Sequence, residues 1–334
     1  MPLTEISSGG PPKDGIPSID EPRFESVAKA RGWLTGPAPV IALSVNDEAR
    51  AYPLAILIWH EIVNDTVGNL PVVVTFCPLC NSALVYERTL DNVVSDFGTT
   101  GNLRNSDLVM YDRQTESWWQ QASGEAIVGQ YAGRFLRQVP AQIVSLADFQ
   151  ADYPGGRVLS RDTGLDRSYG TNPYLGYDRA DNPPFLFDGE IDGRLPPKER
   201  VVTVQIGDDA VAFPYSELAR TGVAQEVVGG RTVVVLWAPG TASPLDLRDA
   251  IGRDVGAAGA FDPSVEGRTL TFERRGGPDA VIMDRETGSS WSITGVATGG
   301  PLAGTRLIPV AHANPFWFAW AAFVPATRIW AADP

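Results

Sequence analysis

Two cysteines, Cys77 and Cys80, are the only cysteines among 334 residues, and two residues separate them. They lie in residues 76–82 (FCPLCNS), directly after the apolar run at residues 72–76 (VVVTF). A Val- and Phe-rich run of this length is typical of a buried β-strand, and Pro78 favours a stiff turn after it. We therefore expect both sulfur atoms in a rigid turn at a strand end, close to the surface.

Sulfur atoms at this spacing support two kinds of chemistry. A dithiol can cycle to a disulfide, and a thiol with a lowered pKa can attack a substrate at neutral pH. A pair of thiolates can instead bind a soft or borderline metal ion such as copper, zinc or iron. A closed four-cysteine zinc site is excluded because the chain has no other cysteine, so a metal would need His, carboxylate or solvent ligands as well.

The chain contains two histidines, His60 and His312. We predict His60, which precedes the strand that carries Cys77, as a base beside the cysteines or as a metal ligand. Glu61 or Asp65 could orient its imidazole ring. His312 precedes an aromatic helix and is the candidate for a fourth metal ligand. A purely structural role stays open for both histidines.

The overall composition excludes several classes of function. The net charge of −13 argues against a nucleic-acid partner and against anionic membrane surfaces, since both favour basic proteins. No run of about 18 apolar residues predicts a transmembrane helix, and no signal-peptide pattern is present in this sequence. Motifs for serine hydrolases, phosphate loops and zinc metalloproteases are also missing.

An internal repeat organises most of the chain. Residues 40–82 resemble residues 201–243 without a gap, and residues 110–119 resemble residues 282–291. Each repeat reads as strands and hairpins closed by one helix, so we predict a β-rich α+β fold of two duplicated units packed as a pseudo-two-fold pair. The predicted regions are an N-terminal arm with a short helix (1–36), a first repeat (37–160), a connection (161–199) and a second repeat (200–334), with closing helices at about 145–153 and 315–323.

The repeat separates residues that the fold needs from residues that one copy alone carries. The Asp-Arg-x-Thr-x-Ser turn that begins at Asp112 occurs in both copies, so we interpret it as structural. The chemically capable residues occur in the first copy only, which predicts one working site and one degenerate copy. The pairs are Cys77 with Ala238, Cys80 with Thr241, His60 with Thr221 and Glu61 with Gly222.

The connection at 161–199 is long and rich in Tyr, Pro and Gly. A connection of this length is usually functional or disordered, and its tyrosines argue against disorder. We predict either a strap that packs over the interface and the site, or a linker that wraps around the surface.

Several motifs together resemble the DUF3179 family over nearly the whole chain. They are residues 9–17 (GGPPKDGIP), 59–65 (WHEIVND), 76–82 (FCPLCNS), the turn at 112–117, the Tyr-Gly-x-x-Pro-Tyr-x-x-Tyr pattern at 169–177 and residues 316–320 (FWFAW). Members of this family are commonly described as selenoproteins, which implies that selenocysteine can replace a cysteine of the Cys-x-x-Cys. Selenium suits a redox nucleophile better than a structural ligand. The resemblance also implies an export signal and an extracytoplasmic location.

The leading hypothesis is a redox protein that uses Cys77 and Cys80 with His60, either through thiol chemistry or with a metal. Glu61 is assigned to the same catalytic group. The first alternative is a non-catalytic copper- or zinc-binding protein with these ligands and His312. The second is an interaction protein whose cysteines form a simple disulfide. The sequence leaves the thiol or metal partner and the substrate open.

Overall fold

Strands predominate in the computed structural model, which describes residues 2–180, 182–246, 252–276 and 280–332. The predicted arm, connection and second repeat each include residues outside these ranges. The prediction of a β-rich α+β fold is confirmed. Among the described residues, no helix has the length and apolar character that crossing a membrane requires.

The secondary structure consists of short helices and many short strands. The helices are a 3₁₀ turn (Leu3–Glu5), α1 (Val27–Ala30), α2 (Leu54–His60), α3 (Leu146–Asp152), α4 (Tyr215–Thr221) and α5 (Trp317–Phe323). The strands of the first half are β1 (Ile6–Ser8), β2 (Phe24–Ser26), β3 (Pro39–Val45), β4 (Glu48–Pro53), β5 (Ile62–Val67), β6 (Leu70–Cys77), β7 (Ser82–Glu87), β8 (Thr89–Leu90), β9 (Val93–Val94), β10 (Phe97–Arg104), β11 (Asp107–Asp112), β12 (Trp118–Gln120), β13 (Ala126–Val128), β14 (Gln138–Val139), β15 (Gln142–Ser145) and β16 (Arg157–Leu159). Those of the second half are β17 (Val201–Ile206), β18 (Asp209–Pro214), β19 (Val223–Val228), β20 (Arg231–Ala238), β21 (Ala257–Asp262), β22 (Ser264–Val265), β23 (Arg268–Thr269), β24 (Phe272–Arg275), β25 (Val281–Asp284), β26 (Ser290–Trp291), β27 (Ala297–Gly299), β28 (Ile308–Pro309) and β29 (Arg328–Ile329).

Three sheets of four or five strands and the small β8–β9 ribbon make up the described part of the first half. One of the hairpins predicted in the first repeat is formed by β3 and β4, which pair from Val40 opposite Pro53 to Val45 opposite Glu48. The sheets have the strand orders β15-β3-β4-β16-β2, β14-β7-β6-β5 and β1-β10-β11-β12-β13. β6 therefore lies between two partners, and its residues Val72, Val73, Val74 and Phe76 are fully buried, as a continuous apolar run predicts.

The second half has sheets of similar make-up, with the orders β17-β18-β29, β19-β20-β21-β28 and β24-β25-β26-β27. In both halves a hairpin leads into a seven-residue helix and then into a second hairpin, as β3-β4-α2-β5-β6 and as β17-β18-α4-β19-β20. A late strand also runs parallel to the second strand of each half, β16 beside β4 and β29 beside β18. The pseudo-two-fold arrangement stays a prediction.

The two Asp-Arg-x-Thr-x-Ser turns use their polar side chains locally. Asp112 accepts hydrogen bonds from the Thr115 N–H at 2.7 Å and from Trp119 Nε1 at 2.9 Å. Asp284 accepts the matching bonds from the Thr287 N–H at 2.6 Å and from Trp291 Nε1 at 2.9 Å. The structural interpretation of this turn is therefore confirmed, since both carboxylates are occupied by hydrogen bonds within the turn and to the following strand.

Helix α5 joins the two halves. Phe318 packs in the core cluster that holds the cysteines, while Trp317 packs with Val201 and Ala212 of the second half. The predicted closing helix at about 315–323 is therefore present, and it has apolar neighbours on both sides. The short helix predicted near the N-terminus is only one turn, α1, because the residues before it form β2.

Candidate functional site

The cysteines lie where a buried strand turns back on itself. Cys77 is the last residue of β6 and pairs with Ser82, the first residue of β7. The four residues between them close the turn, and Asn81 adopts a left-handed φ of 52°, which asparagine tolerates better than most residues. The prediction of a turn at a strand end is confirmed.

The predicted position close to the surface is wrong. Only 2% of Cys77 and 0% of Cys80 is exposed, because α5 and the connection cover the turn. The Phe316 N–H, just before α5, donates to the Cys80 carbonyl oxygen at 2.8 Å. Both cysteines are free thiols, and both point at the carbonyl oxygen of Ser106, at 3.7 Å from Cys77 Sγ and 3.3 Å from Cys80 Sγ.

A third acidic side chain, Asp107, lies beside the two thiols. The two sulfur atoms and a carboxylate oxygen of Asp107 all lie within 4.8 Å of one another, and all three residues are buried. Asp107 Oδ2 accepts hydrogen bonds from Gln120 Nε2 at 2.6 Å and from the Ala122 N–H at 2.9 Å. Asp107 Oδ1 is buried without a hydrogen-bond partner among the described residues. Gln120 and Ala122 thus fix one carboxylate oxygen, and the carboxyl group also interacts with the Cys77 and Cys80 thiols, which lower its pKa.

Sequence reasoning missed Asp107 for an identifiable reason. It follows a tight turn between β10 and β11 in which Asn105 and Ser106 both have left-handed φ values, 51° and 67°, as two-residue hairpin loops require. In the repeat, Asp107 corresponds to Asp279, which lies outside the described residues. A search for residues present in one copy alone therefore discards it, and only the hairpin geometry brings it to the cysteines.

Glu61, which was predicted as a catalytic residue, belongs to the same acidic group. It follows α2 directly with φ = 58°, a conformation in which glycine is the usual residue. Its side chain is 8% exposed. Burial, reinforced by the charge of Asp107, raises the pKa of Glu61 to about 8. A bulky acid held in this unfavourable backbone conformation is a candidate for function.

Burial raises the pKa of every acid in this group. The pKa of Asp107 rises to about 7, although its bonds from Gln120 and Ala122 oppose the change. Burial raises the pKa of Cys77, and it raises the pKa of Cys80 still further. Among the described residues, neither carboxyl group takes part in a salt bridge. At neutral pH the two thiols and Glu61 are therefore mostly protonated, and Asp107 is close to half protonated.

The connection packs over this group. Tyr174 and Tyr177 lie against the core cluster that contains both cysteines. Burial raises the pKa of Tyr174 and then the charges of Glu61 and Cys77 raise it further. Ser106 Oγ also donates to the Phe185 carbonyl oxygen of the connection at 2.5 Å. Of the two predictions for this segment, the strap over the site is the one that these contacts support.

His60 is engaged on both sides of its ring. Nδ1 donates to the Pro17 carbonyl oxygen at 2.7 Å, which leaves Nε2 to accept from the Tyr169 hydroxyl at 2.5 Å. Burial lowers the pKa of His60, so the ring is neutral at pH 7. Asp65 instead accepts from the Tyr52 hydroxyl at 2.6 Å. The role of His60 as base or ligand stays a prediction, and these bonds lend it no support.

His312 lies apart from the close group of metal-ligand atoms, which consists of Cys77, Cys80 and Asp107 among the described residues. Its Nδ1 donates to the Val310 carbonyl oxygen at 2.8 Å, and its buried Nε2 has no partner in the described part of the chain. The prediction that it completes a metal site stays untested.

Comparison with known proteins gives one finding. No curated protein and no solved structure matches the chain. The model of the family described as "Protein of unknown function (DUF3179)" matches residues 13–327. That match covers nearly the whole sequence, including both cysteines, Glu61, Asp107 and the strap, and the chain therefore belongs to the DUF3179 family.

Proposed function

We propose that the protein binds a thiophilic metal ion through Cys77, Cys80 and Asp107. The observation that carries this proposal is the approach of three buried ligand atoms to within 4.8 Å of one another. Asp107 Oδ1 supports it, because a buried carboxylate oxygen without a partner is costly and calls for one.

The electrostatics of the site favour a cation over an activated thiolate. A thiol becomes nucleophilic at neutral pH when a positive group or a helix N-terminus lowers its pKa. Here burial and neighbouring acids do the opposite for Cys77 and Cys80. A metal ion would replace the thiol protons and supply the missing positive charge.

Zinc matches this donor set best. Two thiolates and one carboxylate combine soft and hard donors, which suits a borderline ion such as Zn²⁺. Copper(I) prefers sulfur alone, and Mg²⁺ or Ca²⁺ prefers oxygen alone. Three protein ligands leave a fourth position for solvent, substrate or Glu61. Glu61 acts electrostatically on Cys77, so it can serve as a proton acceptor beside the ion or as the fourth ligand.

Metal content tests the proposal directly. The full chain is purified anaerobically without a histidine tag, and its metals and free thiols are counted in the same sample. We expect about one equivalent of zinc, with both thiols shielded until a chelator removes the metal. Copper or iron at the same stoichiometry would keep the site and correct the identity of the ion.

Matched variants locate the metal. Cys80→Ser and Asp107→Asn should reduce the bound metal to a small fraction of an equivalent. Thr241→Ser, at the position that corresponds to Cys80 in the second half, is the control and should retain the wild-type content. A wild-type protein without metal whose two thiols react freely in the folded state would contradict the proposal.

A dithiol redox centre is the second candidate, and the carboxyl of Asp107 favours it. A group with a pKa of about 7 beside two thiols can accept the proton when one thiol attacks. In that reaction Cys77 and Cys80 form a disulfide, and a substrate disulfide is reduced to two thiols. The metal-free sample decides this case, since its thiols would then appear only after reduction.

We also infer that the chain arose by internal duplication. The inference is supported by the matching order of elements in the two halves and by the matching bonds of the Asp112 and Asp284 turns. On this interpretation the second half keeps the scaffold and lacks the cysteines. A structure of a relative with cysteines in both halves, superposed half on half, would test it.

A further inference from the structure

A cleft of about 620 Å³ is lined by residues from both halves of the chain. Leu84, Tyr86 and Gln138 of the first half line it together with Thr203 and Trp320 of the second half. Its volume suits a ligand of the size of one or two amino acids. Neither the family nor the proposed metal site assigns a role to this cleft.

Three polar atoms in the cleft wall have no hydrogen-bond partner within the described residues: His312 Nε2, Thr203 Oγ1 and Trp320 Nε1. His312 is 4% exposed and Thr203 is 2% exposed. Buried polar atoms are almost always paired, so three orphans in one wall need an explanation. Trp320 is only partly buried, but its indole N–H is covered in the free protein, so binding through this group requires the side chain to move.

The chemistry of these atoms narrows the ligand. His312 Nδ1 donates to the Val310 carbonyl oxygen at 2.8 Å, so Nε2 is an acceptor that needs an N–H or O–H donor. Trp320 Nε1 is a donor that needs an acceptor, and the Thr203 hydroxyl can do either. All three groups are neutral, since burial lowers the pKa of His312.

The charged and apolar side chains of the lining narrow the ligand further. The positive charge of Arg104 is paired with Glu5 at 2.8 Å, and Glu125 adds a carboxylate to the lining, so the cleft disfavours an anionic ligand. Leu136 and Phe323 provide apolar surface, and Phe135 exposes 64% of its side chain at the rim. A neutral molecule with an apolar side chain and an amide fits this combination.

We propose that the cleft binds a small uncharged ligand through an amide group that donates to His312 and accepts from Trp320. The cleft also borders the metal site, because Ala122, Ala313 and Trp320 line both the cleft and a small space against Cys80 and Asp107. A bound ligand would therefore lie one layer of side chains from the ion. Binding in the cleft does not require the metal, so either proposal can fail without the other.

The test is a titration of the full chain with N-acetyl-leucine amide, an uncharged probe that carries two amide groups. Binding is followed by the line width of the probe's acetyl methyl signal in NMR spectra. We expect saturable binding to wild-type protein. Thr203→Val and Trp320→Phe, which each delete one polar group, should weaken binding at least about fivefold.

The chain supplies matched controls for both changes. Thr241 Oγ1 and Trp237 Nε1 are also buried without partners among the described residues, but they lie outside the cleft lining. Thr241→Val and Trp237→Phe should therefore leave the affinity unchanged. Binding that does not saturate, or that falls equally in the control variants, would overturn the proposal. If Trp320→Phe does not fold, Thr203→Val gives the answer alone.

Discussion

Two buried aspartates, Asp107 beside the cysteines and Asp178 in the strap, show how differently two regions of the molecule stabilise a negative charge. Asp178 of the strap is completely enclosed, but Arg200 donates to it at 2.7 Å and Arg253 donates at 3.1 Å. Burial raises its pKa, and the arginines outweigh burial, so that the net pKa lies below the usual range. Asp107 has no salt bridge among the described residues, and its pKa rises to about 7.

The difference in ion pairing between Asp178 and Asp107 separates a structural carboxylate from one without a cationic partner. A buried charge that is paired inside the protein is a structural element, because breaking the pair would leave an isolated charge. A buried acid without a cationic partner costs stability when it is ionised, so its pKa rises and it becomes neutral more easily. The strap contacts both regions, since Tyr174 packs against the core cluster that contains the cysteines and Asp178 accepts a hydrogen bond from Ser243.

The largest expected effect comes from breaking the paired region. Arg200→Met leaves Asp178 buried with only the half-exposed Arg253. We expect the free energy of unfolding to fall by about 3–5 kcal/mol, measured by urea denaturation at pH 7. Lys29→Met, which removes an exposed partner of Glu25, is the control and should change stability by less than about 1 kcal/mol. If Arg200→Met and Lys29→Met lowered the free energy of unfolding by equally small amounts, the pairing of Asp178 would not be a stabilising feature of the fold.

The second prediction concerns the pH dependence of stability that arises from Asp107, which has no cationic partner among the described residues. Because the pKa of Asp107 is higher in the folded state than in the unfolded state, the folded protein binds the extra proton. Metal-free protein should therefore lose stability as pH rises from about 5 to about 7, by up to about 1.4 kcal/mol per pH unit from this group.

Asp107→Asn removes this contribution. The unfolding free energy of the variant minus that of the wild type should therefore increase as pH rises over the same interval. The contribution of Asp178 to stability depends on pH in the opposite direction. It is present above the unfolded pKa of Asp178 and is lost as pH falls through the folded pKa. A difference between Asp107→Asn and wild type that stays constant with pH would contradict the unpaired state of Asp107.

The third prediction compares the residues that follow the two corresponding helices. Glu61 follows α2 with φ = 58°, and Gly222 follows α4 with φ = 75°. Glu61→Gly should be about 1 kcal/mol more stable than Glu61→Ala in thermal unfolding, since only glycine adopts this conformation without strain. Both variants lack the carboxyl group, so the comparison isolates the backbone.

Gly222→Ala is the converse change and should destabilise by about 1 kcal/mol or more. A methyl group there would also lie 2.4 Å from Arg274 Cδ. If Glu61→Gly and Glu61→Ala were equally stable, the strain attributed to Glu61 would be absent, and with it part of the case for a functional role.

The smallest expected effect is at the strap. Tyr169→Phe deletes the hydroxyl that donates to His60 Nε2 and contacts Thr163 Oγ1 at 2.7 Å. We expect a local loss of about 0.5–1.5 kcal/mol, seen as faster amide hydrogen exchange in the strap near residues 163–177. Exchange in β17 and β18 of the second half should not change, and a uniform increase across the chain would argue against a local role.

The sequence by itself determined the family, the β-rich class, the strand and turn that carry the cysteines, and the structural nature of the Asp112 turn. These features depend on local patterns: an apolar run, a proline after a strand, and polar side chains that bond to their own turn. The repeat also directed attention to Cys77, Cys80 and Glu61, because the corresponding positions in the second half differ.

Only the tertiary structure decided which groups meet. Asp107 reaches the cysteines because the β10–β11 hairpin folds against the end of β6, and no local pattern encodes that approach. The same packing buries both thiols under the strap and α5, and it directs His60 to Pro17 and Tyr169. Burial and the charges of neighbours set the pKa of each acid. Contacts between segments distant in sequence therefore set the environment of the two thiols.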